Sequence, residues 1–249
     1  MGDVLNLSDE RLTIFQSWTK NMVRYGLQAQ IGHAWMSEKG GVAYQIGYFL
    51  FLAGEVDCEL LPSNLAYLIL ISEQENWQNY LSQQESFTIF TRYAFDVPDE
   101  ATVSECQNHL ALYSTPFECK EMNTKSFIEC GKNEWSRDLQ GVFHSFSSYQ
   151  EQGAIGFVLY DGKQLIAGIS SAFVYHGALE VEIAVHPDYQ GRGLAKFLAA
   201  KMVISCFEKG MVPLWDAHNI TSAKVALAVG YPFLGNYSAY ELSQTYDNE

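Results

Sequence analysis

Apolar positions along the chain fall into short alternating runs and a few longer helical ones, and their order changes at Pro116. Before it, Leu12, Ile14, Phe15, Trp18, Met22 and Tyr25 form a broad apolar face. That face predicts a helix from a Ser8 cap to about Tyr25, with Asp9 and Glu10 in its first turn. Residues 42–53 predict a strand ended by Gly54, and residues 65–71 a second. Ser72-Glu73-Gln74-Glu75 has the capping-box pattern and predicts a helix to about Gln84. Residues 87–95 read as a strand and 99–113 as a helix, closed by Ser114-Thr115-Pro116.

After Pro116 the pattern predicts a short strand over 117–122 and helices over 124–130 and 133–148. An Asp161-Gly162-Lys163 turn between apolar runs 154–160 and 164–175 is a hairpin signal. Residues 179–185 alternate, with Val181, Ile183 and Val185 on one face and Glu180, Glu182 and Ala184 on the other. Then follow an apolar helix over 193–209, a strand over 212–217, a helix from an Asn219 cap to Val229, and a last strand over 237–242. The class is mixed α/β. The break near Pro116 divides the chain into an N-terminal α/β lobe, 1–112, and a second domain, 113–249.

The composition removes several alternatives. At 249 residues with 48% hydrophobic positions, the chain can bury a large core as one or two domains. Its net charge of −14 argues against nucleic acid or an anionic membrane as partner and suits cationic substrates such as amines. Five cysteines without a CxxC spacing read as reduced, buried thiols of a cytoplasmic protein. The N-terminus lacks a basic region followed by an apolar core, so no signal peptide is expected. The run 42–53 is too short to span a bilayer. No Cys/His cluster at ligand spacing occurs, so no metal is expected.

The chemistry is concentrated in residues 182–195, EIAVHPDYQGRGLA. A strand leads through a glycine-bearing loop into a helix. Two glycines let successive N–H groups point at one spot, and the helix start adds its positive end, which together suit a pyrophosphate. Arg192, Lys196, Lys201 and Lys209 put four of the chain's 15 basic residues nearby. The plainer reading is a tight strand-to-helix turn with a solvated basic face. GxxxxGK[ST] is absent and the GxGxxG spacing is not met.

Gln190-x-x-Gly193-x-Ala195 resembles the Q/R-x-x-G-x-G/A motif of the GCN5-related N-acetyltransferases, and the element order from Phe117 resembles their core. Residues 49–55 (FLFLAGE), 92–95, 182–195, 213–219 (PLWDAHN) and 226–231 resemble the branch containing the zwittermicin A resistance acetyltransferase. The resemblance implies the GNAT fold, with a central, mostly antiparallel sheet, and acetyl-CoA as co-substrate. It implies that Ala184 and Val185 offer backbone groups to the pantetheine arm, in a cleft where their strand splays from the next. It implies that Gln190, Gly191, Arg192, Gly193, Leu194 and Ala195 surround the pyrophosphate, and that Asn219 and Ser222 face the cofactor; Asn219 is otherwise an N-cap.

The implied reaction is direct attack of an amine on the thioester in a ternary complex, with no covalent enzyme intermediate. Cys206, in mid-helix, then belongs to the core. Glu182 is the first candidate for general base and Glu180 the second, against a solvated strand face or an ion pair; Asp216, His186 and His218 flank the cleft. The family's usual acid, a tyrosine, is replaced by Ala226, and Tyr231 reads as packing. The expected function is acetylation of a small-molecule primary amine, antibiotic resistance included, by a monomer or homodimer. The alternative is a non-catalytic module binding acyl-CoA or a partner. Residues 1–112 would set acceptor specificity or be a degenerate copy of the same fold.

Overall fold

The computed structural model describes residues 3–63 and 67–243. In chain order its elements are β1 (Asp3–Leu5), α1 (Asn21–Gln28), β2 (His33–Met36), β3 (Gly41–Ile46), β4 (Phe49–Gly54), β5 (Ile69–Ile71), α2 (Glu75–Ser82), β6 (Phe87–Phe95), α3 (Glu100–Leu112), β7 (Glu118–Glu121), α4 (Thr124–Gly131), α5 (Phe146–Glu151), β8 (Gly156–Asp161), β9 (Gln164–Tyr175), β10 (Ala178–Val185), α6 (Leu194–Glu208), β11 (Val212–Leu214), β12 (Asp216–Ala217), α7 (Ile220–Ala228) and β13 (Phe233–Leu242). Short 3-10 turns cover Glu10–Phe15, Cys58–Leu60, Arg137–Gln140 and Pro187–Tyr189. Among the described residues, no helix is long and apolar enough to cross a membrane.

Several local signals yield to tertiary contacts. The helix expected from Ser8 to Tyr25 is a 3-10 turn capped by Asp9, a break, and then α1. At the break the N–H and hydroxyl of Thr19 both donate to Glu73 (2.9 Å each), which removes that N–H from a helical ladder. The 72–75 capping box does not form. Glu73 serves Thr19, Gln74 serves Gly54, and the Ser72 hydroxyl accepts from the Gln74 N–H, so α2 starts without a side-chain cap. The run 42–53 is a hairpin turning at Gly47 (φ +54°). Of the strand expected over 65–71 only Ile69–Ile71 forms in β5; residues 65 and 66 lie outside the described residues. The helix expected over 133–148 is split by Gly141 (φ +56°). After it, the Val142 N–H donates to the carbonyl of Ala172 (3.0 Å), the residue passed over where the β9–β10 register shifts.

The chain divides into two compact units, one reaching Arg92 and regaining the chain from Asn236, the other spanning Tyr93–Gly235. The expected boundary at 112/113 falls inside the second of these units. Helix α3 belongs to the second unit because Cys106 shares its buried core and the Thr102 hydroxyl donates to the carbonyl of Gly230 (3.0 Å).

In the second unit the sheet order is β11-β10-β9-β8-β7, antiparallel throughout except the parallel β10–β11 pair. Helix α6 is apolar nearly all round and is buried accordingly, with Leu198, Ala199, Met202 and Val203 fully enclosed. It shares its cluster with Leu179, Val181, Ile183 and Val185 of β10. Ala184 instead joins the cluster containing Phe127, Leu139 and Tyr149, from α4, the 3-10 turn and α5. The two sheet faces are thus covered by different helices, as the alternation in β10 requires.

The first unit repeats this strand plan. Strands β1 to β4 pair in order and antiparallel, and β4 pairs parallel with β5. Where the second unit has a glycine loop and a long helix between its parallel strands, the first has, among the described residues, the 3-10 turn Cys58–Leu60. The parallel pairing covers Phe49, Leu50 and Phe51 and stops. Beyond it, the Gly54 N–H donates to Oε1 of Gln74 (2.7 Å) and the Gly54 carbonyl accepts from Nδ2 of Asn76 (2.9 Å). Side chains of the unit itself occupy the backbone where β4 leaves β5.

Candidate active site

Strand β10 pairs with β11 only over Ala178, Leu179 and Glu180. Strand β11 ends at Leu214, and the next strand residues, Asp216 and Ala217, pair with Ala94 and Tyr93 instead. From Val181 on, β10 keeps β9 on one side while its other edge opens. Backbone groups of successive strand residues point to alternate edges. The Val212 N–H donates to the carbonyl of Gly177 on one edge, and the His186 N–H to that of Ile166 on the other. By that alternation Val181, Ile183 and Val185 face the open edge, while the backbone of Ala184 faces its partner Gly168. Of the expected pair Ala184 and Val185, Val185 turns its backbone to the open edge, as Ile183 does, while Ala184 turns its backbone to β9. The Val185 carbonyl accepts from Nε2 of Gln190 (3.2 Å), which makes Gln190 a brace across the turn.

The turn runs from the 3-10 turn Pro187–Tyr189 through Gln190 to α6. Gly191 (φ +74°) and Gly193 (φ +77°) both adopt the left-handed region that disfavours a side chain. No side chain caps α6 at Gly193, and no atom lies within 4 Å of where a Cβ on Gly191 would stand. Uncapped first-turn N–H groups beside an open, glycine-lined turn fit a pyrophosphate. Leu194 is buried and anchors the first turn, while Ala195 keeps its side small.

Of the four basic residues, the structure keeps two near the turn. Nη2 of Arg192 donates to the carbonyl of Asp188 (2.8 Å), and its guanidinium lies 4.7 Å from the Tyr189 ring centre. Lys196 is in the first turn of α6. Lys201 rests on the Phe157 ring (5.1 Å). Lys209 ends the 15-residue helix, about 22 Å away along its axis.

Asn219 is the N-cap of α7, its side chain accepting from the Ser222 N–H (2.9 Å). The Ser222 hydroxyl accepts from Nε1 of Trp215 (3.1 Å). Asn219 is thus engaged within its own turn, and the Ser222 hydroxyl with the segment before β12. Ala226 is fully buried, and the hydroxyl of buried Tyr231 donates to the carbonyl of Pro213 (3.0 Å), the packing role expected. Burial pushes the Cys206 thiol up to about 12, which suits a core residue. Cys58 is exposed, unlike the buried thiols expected.

The carboxylates differ. Glu180 is only 7% exposed and accepts from the Tyr175 hydroxyl (3.2 Å), so it is no solvated face. Glu182 is partly buried, opposite Ser170 in register, on the sheet face away from α6. His186 caps the 3-10 turn by accepting from the Asp188 N–H (3.2 Å) and meets the Trp135 ring edge-on at 5.4 Å. Tyr113, from the end of α3, also reaches the glycine turn: its hydroxyl donates to the Arg192 carbonyl (2.7 Å). Nothing local in the sequence marks it, because the two residues lie 79 positions apart.

Comparison with known proteins fits this geometry. The GNAT acetyltransferase family model matches residues 12–240. The N-acetyltransferase YdfB of Bacillus subtilis (strain 168), itself uncharacterized, is 30% identical over 100 residues, a stretch covering 39% of this chain and 38% of that one. A GCN5-related N-acetyltransferase-like protein from Streptococcus suis 89/1591 superposes with a TM-score of 0.80 at 26% identity, covering 94% of this chain and 99% of that one. A GNAT-family acetyltransferase from Colwellia psychrerythraea shares the fold at 12% identity, TM-score 0.56, over 98% and 100% of the two chains. With the family model spanning nearly the whole sequence, the chain belongs to the GNAT acetyltransferase family, a family of acyltransferases that take their acyl group from acetyl-CoA.

Proposed function

We propose that the chain transfers the acetyl group of acetyl-CoA to a primary amine of a small molecule by direct attack within a ternary complex. The observation that carries this reading is the edge of β10, opened by the departure of β11 and leading into the two-glycine turn before α6. Bound acetyl-CoA supplies an activated thioester carbonyl. The N–H groups of residues 191–195 would hold its pyrophosphate, and the backbone of Ile183 and Val185 its pantetheine arm. Glu182 would take the proton from the acceptor ammonium, with Glu180 behind it on the same strand face. The charge of −14 favours approach of a cation.

The test is release of CoA thiol with a panel of amino-polyols, aminoglycosides, polyamines and peptides. The resemblance to the zwittermicin A resistance branch puts amino-polyol antibiotics first. Turnover with a small amine is expected; turnover with peptides alone would replace the acceptor class. The second reading, a binding module without turnover, is favoured by buried Ala226 where the family's acid would stand. It predicts tight acetyl-CoA binding and no thiol release with any acceptor.

The first unit would be a degenerate copy of the same fold. Its strand plan matches, but among the described residues it has no counterpart of the glycine turn and long helix, and Gln74 and Asn76 fill the backbone at the end of β4. Titration calorimetry is therefore expected to give one acetyl-CoA per chain; a stoichiometry of two would show that the first unit binds as well.

A further inference from the structure

Tyr113 stands at the C-terminal end of α3, before the strands and helices that the resemblance assigns to the transferase core. Its hydroxyl donates to the Arg192 carbonyl (2.7 Å), between the two glycines of the turn. Its ring lies beside Gly193: a Cβ there would stand 3.2 Å from Cε2. The ring is held in turn by His109, stacked at 5.4 Å and 18°, and by Phe197 at 5.8 Å. Phe197 closes the loop of contacts, since its N–H donates to the Gly193 carbonyl (3.1 Å). Burial, and then the nearby Lys196 charge, hold the His109 imidazole below its usual range, while Glu105 opposes them; a neutral ring suits this stack.

A trans peptide points its C=O and N–H in opposite directions. Fixing the Arg192 carbonyl toward Tyr113 therefore fixes the Gly193 N–H away from it. That plane turns about ψ of Arg192 and φ of Gly193, and at the glycine no Cβ opposes the rotation. The Tyr113 hydroxyl holds one orientation and so prepays the ordering of a donor in the anion cradle. We propose that Tyr113 is a positioning residue for the acetyl-CoA pyrophosphate, setting the 192–193 peptide from the end of α3. This rests on the reading of the 190–195 turn as the CoA site.

The test is Tyr113→Phe, which removes one oxygen and keeps the ring. In ligand-free protein, amide hydrogen exchange over residues 190–195 is expected to quicken, with the melting temperature unchanged. The Kd for CoA should rise about three- to tenfold, the worth of one neutral hydrogen bond. KM for acetyl-CoA should rise likewise at constant kcat. KM for acetylpantetheine, which has no pyrophosphate, should not move. Unchanged exchange and unchanged Kd in Tyr113→Phe would overturn the inference, as would an equal rise in KM for acetylpantetheine. Failure of the wild-type chain to bind CoA would overturn the site assignment itself. The exchange result would then still report whether Tyr113 orders the turn.

Discussion

Replacing Gly193 with aspartate is expected to abolish acetyl-CoA binding while the protein stays folded. Three effects add. The residue sits at φ +77°, where a side chain costs about 1–2 kcal/mol. A Cβ there meets the Tyr113 ring at 3.2 Å. A carboxylate at the start of α6 also repels the anion that the site would hold. Acetyl-CoA at 100 times its dissociation constant stabilises the wild-type chain by about 2.7 kcal/mol, a rise of roughly 5–10 °C in melting temperature. The variant should show none. Gly193→Ala carries the backbone and steric effects without the charge, so it should lose only part of the shift. Full retention of the shift in Gly193→Asp would remove the turn as the cofactor site.

Replacing Glu182 with glutamine is expected to lower turnover by about 10²–10⁴, the range for loss of a general base, with acetyl-CoA binding kept. The loss should be steepest at low pH. There the acceptor is mostly ammonium, and without a base only the small fraction of free amine reacts. At high pH, where the amine arrives deprotonated, the two rates should converge. The rival is that Glu182 is structural. A variant that melts earlier but turns over at the wild-type rate per folded molecule would decide for that rival. Glu180 is the control on the same strand face. It is nearly enclosed and bonded to Tyr175, so Glu180→Gln should act mainly on stability. If Glu180→Gln alone stops turnover, the base lies two residues earlier.

Where local chemistry is strong, the sequence was legible. Residues 87–95 and 164–175 form strands with the bounds expected, and Asn219 caps α7. The alternation in β10 separates its glutamates from the face packed against α6. The strand, two glycines and helix of the candidate site follow from residues 182–195 alone. Signals that depend on a side chain's choice of partner were misleading. The 72–75 pattern offers a capping box, yet Thr19 and Gly54 claim Glu73 and Gln74. Lys201 and Lys209 lie near the turn in sequence and away from it in space, because a helix carries them along its axis.

The chain by itself determined that a glycine turn leads from a strand into an apolar helix. It also determined that two carboxylates share the strand face opposite that helix, since both follow from periods of 2 and 3.6 residues and from glycine's access to positive φ. Only the tertiary structure decided the rest. It decided which edge of β10 opens, because that depends on where β11 leaves it. It turned Ala184 toward Gly168 and enclosed Glu180, because both follow from strand register. It also brought Tyr113 to the Arg192 carbonyl across 79 positions. Contacts of that kind are set by how α3 packs along α6, and no local pattern of residues encodes them.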